Sequence, residues 1–201
     1  MCLDGWVNSD DGSCRCKSQF FTLIDTNNDL FLISDGIELF NPPLERGNLV
    51  ATLPTMGPYF VLKMNITINS LPDAGFKNIF QVTDETDGIN ENGQSFGTTG
   101  DRYPWLSLRN TGILLFQSEK DNVVSPWLLE FTPTLGTKHQ IEMRQIDKSG
   151  ATFTEIIIDG EELYSDENTA PIVVANAKVY LANVFRQTAD ATVEYFYLES
   201  Y

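Results

Sequence analysis

The chain has 201 residues, 42% of them hydrophobic and 20% charged, which is enough to bury the core of one globular domain and too apolar for a disordered segment. Thirteen Lys and Arg stand against 28 Asp and Glu, and a net charge of −15 repels phosphate backbones and anionic headgroups alike, so neither nucleic acid nor a membrane surface is an expected partner. No apolar run reaches the roughly 20 residues of a spanning helix. Met1-Cys2-Leu3-Asp4 also lacks the basic and apolar regions of a signal peptide, which leaves the compartment open.

Residues 1 to 18 carry Gly5, Asn8, Asp10, Asp11, Gly12 and Ser13 among Cys2, Cys14 and Cys16, and hold too few apolar side chains to build a core. They read as part of a cysteine-containing arm over residues 1–44, ahead of a cysteine-free domain over 45–201. Cys14 and Cys16 are too close to bridge each other without strain. Either Cys2 pairs with one of them and the third thiol finds a partner outside this chain, or all three are free thiols. A closed zinc site is disfavoured, because His139 is the one histidine and lies far along the sequence.

From Phe20 onward, short β-rich runs alternate with turn signals and no 3.6-residue period is sustained, which predicts an all-β sandwich. Strands are expected near 20–24, 29–33, 48–53, 58–68, 77–83, 105–109, 112–117, 127–131, 137–146, 152–158, 161–164, 177–183 and 190–199. The clearest is 58–68, where Phe60, Leu62, Met64, Ile66 and Ile68 share one face and Lys63, Asn65 and Thr67 the other. Asn65-Ile66-Thr67 is an N-glycosylation sequon whose asparagine falls on the wet face. Asp159-Gly160 between 152–158 and 161–164 predicts a hairpin with a primed turn. The last run, Ala191 to Leu198, is apolar on both faces and is expected to be central.

The order of these pieces carries a resemblance. Asn78 to Thr83 is followed by Gly100-Asp101-Arg102-Tyr103-Pro104-Trp105, then Gly112 to Phe116, Gly136-Thr137-Lys138-His139, Ile156-Ile157-Ile158-Asp159-Gly160 and Val179-Tyr180-Leu181-Ala182-Asn183. This succession, over about residues 45–201, resembles a concanavalin A-like module of the laminin-G-like and pentraxin-like kind. The resemblance implies a two-sheet antiparallel jelly-roll sandwich and admits lectins, adhesion modules, glycanases and architectural domains. In the arm, Cys2 followed by Cys14-Arg15-Cys16 is similar to the third, fourth and fifth cysteines of an EGF-like module, with the sixth missing.

Catalytic constellations are sparse. A strand-borne carboxylate triad of the retaining glycanase type has its nearest counterpart in Glu155, Asp159 and Glu161, but the last two flank the turn glycine, so a structural hairpin is expected instead. Any base-dependent nucleophile must run through His139, which shares strand parity with Ile141 and Met143 and reads as a core histidine. Gly93, Gly97 and Gly100 lack the following helix and lysine of a phosphate loop. The acidic loop around Asp84, Asp87 and Asn90 offers oxygen ligands of the kind calcium prefers, against the plainer reading of a solvated loop. Asp25 to Asp29 begins like an EF-hand loop but has Leu30 where that loop needs glycine, and reads as a turn.

Arg102, Tyr103 and Trp105 are the candidates for a ligand face, the alternative being that Arg102 pins a loop and the aromatics are buried. The expectation is a non-enzymatic, secreted structural or adhesion module, without a resident cofactor unless calcium. Its partners would be copies of itself or matrix proteins, with self-assembly into a matrix or filament through the apolar pieces 20–24 and 30–33 of its arm. The same two pieces have a second reading, packing on their own domain. The alternative function is a calcium-dependent lectin that binds glycans, and a glycoside hydrolase comes last.

Overall fold

The computed structural model describes residues 36–84, 102–123, 126–183 and 186–201, together with the backbone of three short strands at 6–8, 14–16 and 31–33. The strand expected over 20–24 and the residue Cys2 lie outside these, and Cys14 and Cys16 are described only as backbone.

Fifteen strands run in chain order: β1 (Trp6–Asn8), β2 (Cys14–Cys16), β3 (Phe31–Ile33), β4 (Gly36–Phe40), β5 (Leu49–Met56), β6 (Phe60–Ile68), β7 (Phe76–Thr83), β8 (Trp105–Arg109), β9 (Leu114–Gln117), β10 (Trp127–Phe131), β11 (Lys138–Lys148), β12 (Ala151–Ile158), β13 (Glu161–Glu167), β14 (Val174–Leu181) and β15 (Ala191–Ser200). Two antiparallel sheets form a sandwich, one ordered β10-β9-β8-β7-β14-β5 and the other β13-β12-β11-β6-β15-β4-β3, while β1 and β2 pair separately. The all-β sandwich is therefore what the sequence pattern expected.

Alternation is the cause of the layering. In β6, Phe60, Leu62, Met64, Ile66 and Ile68 are all at most 2% exposed while Lys63 is open to solvent. Each such large apolar side chain contributes about 1.5–3 kcal/mol through burial. β6 sits between β11 and β15, so the strand with the cleanest alternation is the middle of its sheet. β15 is likewise central, between β6 and β4, as its two-faced apolar composition anticipates. Across the interior, Phe80 of β7 meets Phe196 of β15 with ring centroids 5.4 Å apart, joining the two layers by more than their buried area alone.

The predicted hairpin is present: Asp159 (φ 54°) and Gly160 (φ 86°) both take positive φ, the signature of a primed turn that joins β12 to β13. At its base, Asp159 accepts from His139 Nδ1 (2.7 Å) and from the Gln140 amide (2.8 Å). His139 Nε2 in turn accepts the Thr134 amide at 3.2 Å, so the ring bridges the Thr134 amide and the Asp159 carboxylate as a structural link. Burial pushes the Asp159 carboxyl up, but the Gln140 amide and His139 outweigh it and hold it below the ordinary value.

The arm joins the sandwich at its end. β4, within the segment 1–44, carries Ile37 and Leu39 into the common core and pairs with β15, and β3 pairs with β4 at the sheet edge. The segment Gly36 to Phe40, not among the expected strands, alternates in burial like the others. The exposed edges carry protection against further pairing. β13 presents Glu161, Glu162, Asp166 and Glu167 to solvent, and β5 places the exposed Pro54 where an edge donor would otherwise stand.

Candidate ligand face on the six-stranded sheet

Alternation divides the central strands of the six-stranded sheet into two sets. Phe80, Val82, Leu106, Leu108, Leu114, Phe116, Val179 and Leu181 face the core. Gln81, Thr83, Trp105, Ser107, Leu115, Gln117 and Tyr180 face away from it, yet all are buried as well, Trp105 to 4% and Ser107 to 0% exposure. An outward face this polar and this closed off is unusual, since buried polar groups cost free energy unless they are paired.

Register assembles the face. Gln117, Trp105, Gln81 and Tyr180 pair directly in one row across β9, β8, β7 and β14, with neighbouring strands about 4.8 Å apart. Asn78 lies opposite Ser107 one step along, beside a bulge at Ile79. The chain leaving β14 is tied to this row: Asn183 donates from Nδ2 to Gln81 Oε1, its amide donates to Asn78 Oδ1 at 2.9 Å, and its own Oδ1 accepts the Arg186 amide at 3.0 Å. That last bond sets Arg186 above the sheet.

Arg186 completes a cluster. Arg109 lies over the Phe76 ring at 5.6 Å, Arg186 lies 5.8 Å from Phe76 and 5.7 Å from Trp105, and Arg102 lies over Trp105 at 4.5 Å. Three guanidiniums thus gather about two rings, each contact contributing about 0.5–1 kcal/mol. Next to the cluster, Asp73 to Lys77, Arg186 and Gln187 line an open groove of about 430 Å³. There Lys77 pairs with Asp73 at 3.0 Å and donates to Gln187.

Four side-chain atoms in this neighbourhood are buried with no hydrogen-bond partner among the described residues: Asn78 Nδ2, Trp105 Nε1, Ser107 Oγ and Thr188 Oγ1. Each such group costs about 1–3 kcal/mol when left unmatched. Among the described residues of this row, the Arg, Trp, Gln, Asn, Ser and Thr side chains supply aromatic surface and hydrogen-bonding groups.

The sequence-derived candidates distribute as follows. Arg102 and Trp105 come together on this face. Tyr103 turns the other way into the core at 0% exposure, edge-on to Phe60, its hydroxyl donating to the Pro58 carbonyl (3.1 Å) and accepting from Gln145 (2.6 Å). Burial pushes its phenol well above the ordinary value. Asn65 sits half-buried on the outer face of the other sheet, opposite Gln140 and Tyr195. Asp84 follows β7, while Asp87 and Asn90 lie outside the described residues, and no group of three metal-ligating side chains occurs among those described. Glu155, Asp159 and Glu161 do not converge: Glu155 pairs with Arg144 (2.6 Å) and Lys148, Asp159 with His139, and Glu161 is exposed.

Phe76, Arg109, Arg186, Asn183 and Gln81 were not anticipated as parts of a face. The one sequence signal was the set of polar residues, Asn78, Gln81 and Thr83, within an otherwise apolar strand.

No family model and no curated protein matches the chain. Among solved structures it is similar to a Trypanosoma rangeli sialidase in complex with sialic acid, at 15% identity and a TM-score of 0.50, covering 98% of this chain and 31% of that one. The same sialidase in complex with the inhibitor DANA gives 14% identity and a TM-score of 0.50, covering 85% and 26%. A Caenorhabditis elegans galectin matches at 13% identity and a TM-score of 0.43, covering 81% and 95%. The chain spans about a quarter to a third of the sialidase chains, and what it shares with them is the fold, a sandwich of two antiparallel sheets.

Proposed function

We propose that this chain is a non-enzymatic, concanavalin A-like adhesion module that holds carbohydrate on the outer face of its six-stranded sheet. The observation that carries the reading is the open groove of about 430 Å³ lined by Asp73 to Lys77, Arg186 and Gln187, with the half-buried Phe76 ring beside the Arg109 and Arg186 guanidiniums. A ligand that brings many hydroxyls and a flat apolar ring face meets the polar side chains and the Phe76 ring of that groove at once. Secretion accords with the cysteine-bearing arm and with the Asn65 sequon on an outer strand face.

A glycan array probed with and without chelator tests this. Binding that survives chelation and falls about three- to tenfold in Phe76→Leu, which removes the ring that lines the groove, supports the reading. Binding abolished by chelator moves the site to the Asp84, Asp87 and Asn90 loop and makes the module a calcium-dependent lectin. A flat array removes the carbohydrate function. For self-assembly, β3 already occupies an edge of the chain's own sheet, so that piece of the arm has an in-chain partner and adhesion through the sheet face takes precedence over strand donation.

A further inference from the structure

We infer that the sugar held on this face is acidic, and that Arg186, with Arg109 behind it, takes the sugar carboxylate at the groove beside Phe76. This deepens the carbohydrate reading and rests on it.

The first ground is where the positive charge sits. The chain carries −15 overall, yet three of its six arginines, Arg102, Arg109 and Arg186, fall in one cluster with two rings. Lys63, Lys120, Lys138, Arg144 and Lys148 each have a carboxylate partner, whereas Arg109 and Arg186 have none within ion-pair distance among the described residues. In a protein with an excess of Asp and Glu, two guanidiniums at the same ring without a carboxylate partner among the described residues mark a place kept for an anion from outside.

The second ground is geometry. A guanidinium offers a fork of N–H donors that suits a planar, two-pronged acceptor, and carboxylate is that acceptor. Arg186 lies 5.8 Å from the Phe76 ring and 5.7 Å from the Trp105 ring and also lines the groove of about 430 Å³, a volume suited to a small ligand group. Asp73, the carboxylate among the groove's lining residues, is already engaged by Lys77 at 3.0 Å, so Arg186 keeps its charge for a ligand, with Arg109 reaching the same Phe76 ring at 5.6 Å.

Calorimetry with two matched pairs tests the inference: hexagalacturonate against its methyl ester, and sialyllactose against lactose. The charged member of at least one pair should bind about tenfold or more tightly than its neutral counterpart, as expected for a charge-assisted pair. The first pair reports a uronate within a chain and the second a terminal sialate. Arg186→Gln and, independently, Arg109→Gln should bring the acid to the affinity of its neutral partner, while Lys63→Gln on the other sheet leaves the preference intact. Near-UV circular dichroism of each variant confirms the fold, and two separate arginine variants protect the test against one failing to fold.

Equal binding of acidic and neutral members overturns the inference and leaves the carbohydrate reading standing. A preference for the acid that survives both arginine substitutions overturns it too. So does a single-stranded oligonucleotide bound as tightly as hexagalacturonate, because the cluster then responds to bare charge. No binding of any sugar ends both this inference and the reading beneath it.

Discussion

The outer faces of the two sheets are built from similar residue types and solve their electrostatics in opposite ways. On the seven-stranded sheet, Arg144 pairs with Glu155 at 2.6 Å and Glu142 at 3.0 Å, Lys63 with Glu142 at 3.6 Å, Lys148 with Glu155, and Lys138 with Glu194 at 2.7 Å. Glu155 also accepts from Ser165 at 3.4 Å, so its carboxylate is closed off and fully served. On the six-stranded sheet, Arg109 and Arg186 lie by aromatic rings without a carboxylate partner among the described residues, and Asn78 Nδ2 and Trp105 Nε1 are buried without a hydrogen-bond partner among them. One face pairs its charges within the sheet, and the other leaves two cations unmatched among the described residues.

The largest expected effect that sharpens the contrast is on the satisfied face. Glu155→Ala leaves Arg144 and Lys148 without their shared partner and should cost about 2–3 kcal/mol, below the usual loss for a broken buried pair because those cations stay 31% and 42% exposed. Urea denaturation measures it. The same residue gives a pH signature. Burial raises the Glu155 carboxyl, but Lys148 and Arg144 outweigh it and hold it below the ordinary value. With a folded value below the unfolded one, the stabilisation is present above the usual glutamate range and is lost as pH falls through the depressed value. The urea midpoint of the wild type should drop on acidification more than that of Glu155→Gln. A parallel fall in both breaks the assignment.

On the unsatisfied face the same kind of deletion should do little. Ser107→Ala removes a buried hydroxyl that has no partner among the described residues, so stability should stay within about 1 kcal/mol of wild type or rise slightly. A loss as large as that of Glu155→Ala would mean the hydroxyl has a partner and the two faces are not opposites. The smallest effect belongs to Lys63→Gln, whose Glu142 contact at 3.6 Å is half-exposed. Its cost should stay below about 0.5 kcal/mol and vanish in high salt.

How much of this could be read from sequence follows the range of the signal. The alternation of β6, the Asp159-Gly160 turn and the two-faced composition of β15 are local patterns, and each took the place its pattern dictates. His139 was legible from its parity with Ile141 and Met143. On the ligand face, Arg102 and Trp105 were found because they sit three residues apart. Phe76, Arg109 and Arg186 were not, because their meeting depends on the register of β7 against β8 and on the path of the chain after β14. Tyr103 shows the converse: it precedes β8, where no alternation constrains it, and its hydroxyl finds Gln145 in the core rather than the outside. Local periodicity assigns a side of a sheet, and only the long-range pairing decides which neighbours share it.

The fringe of β13 bears on how copies of the molecule meet. Glu161, Glu162, Asp166 and Glu167 line one border of the seven-stranded sheet, and Pro54 breaks the row of amides along β5. Two copies drifting together along these borders feel mutual repulsion and a missing donor, so they slide past instead of zipping.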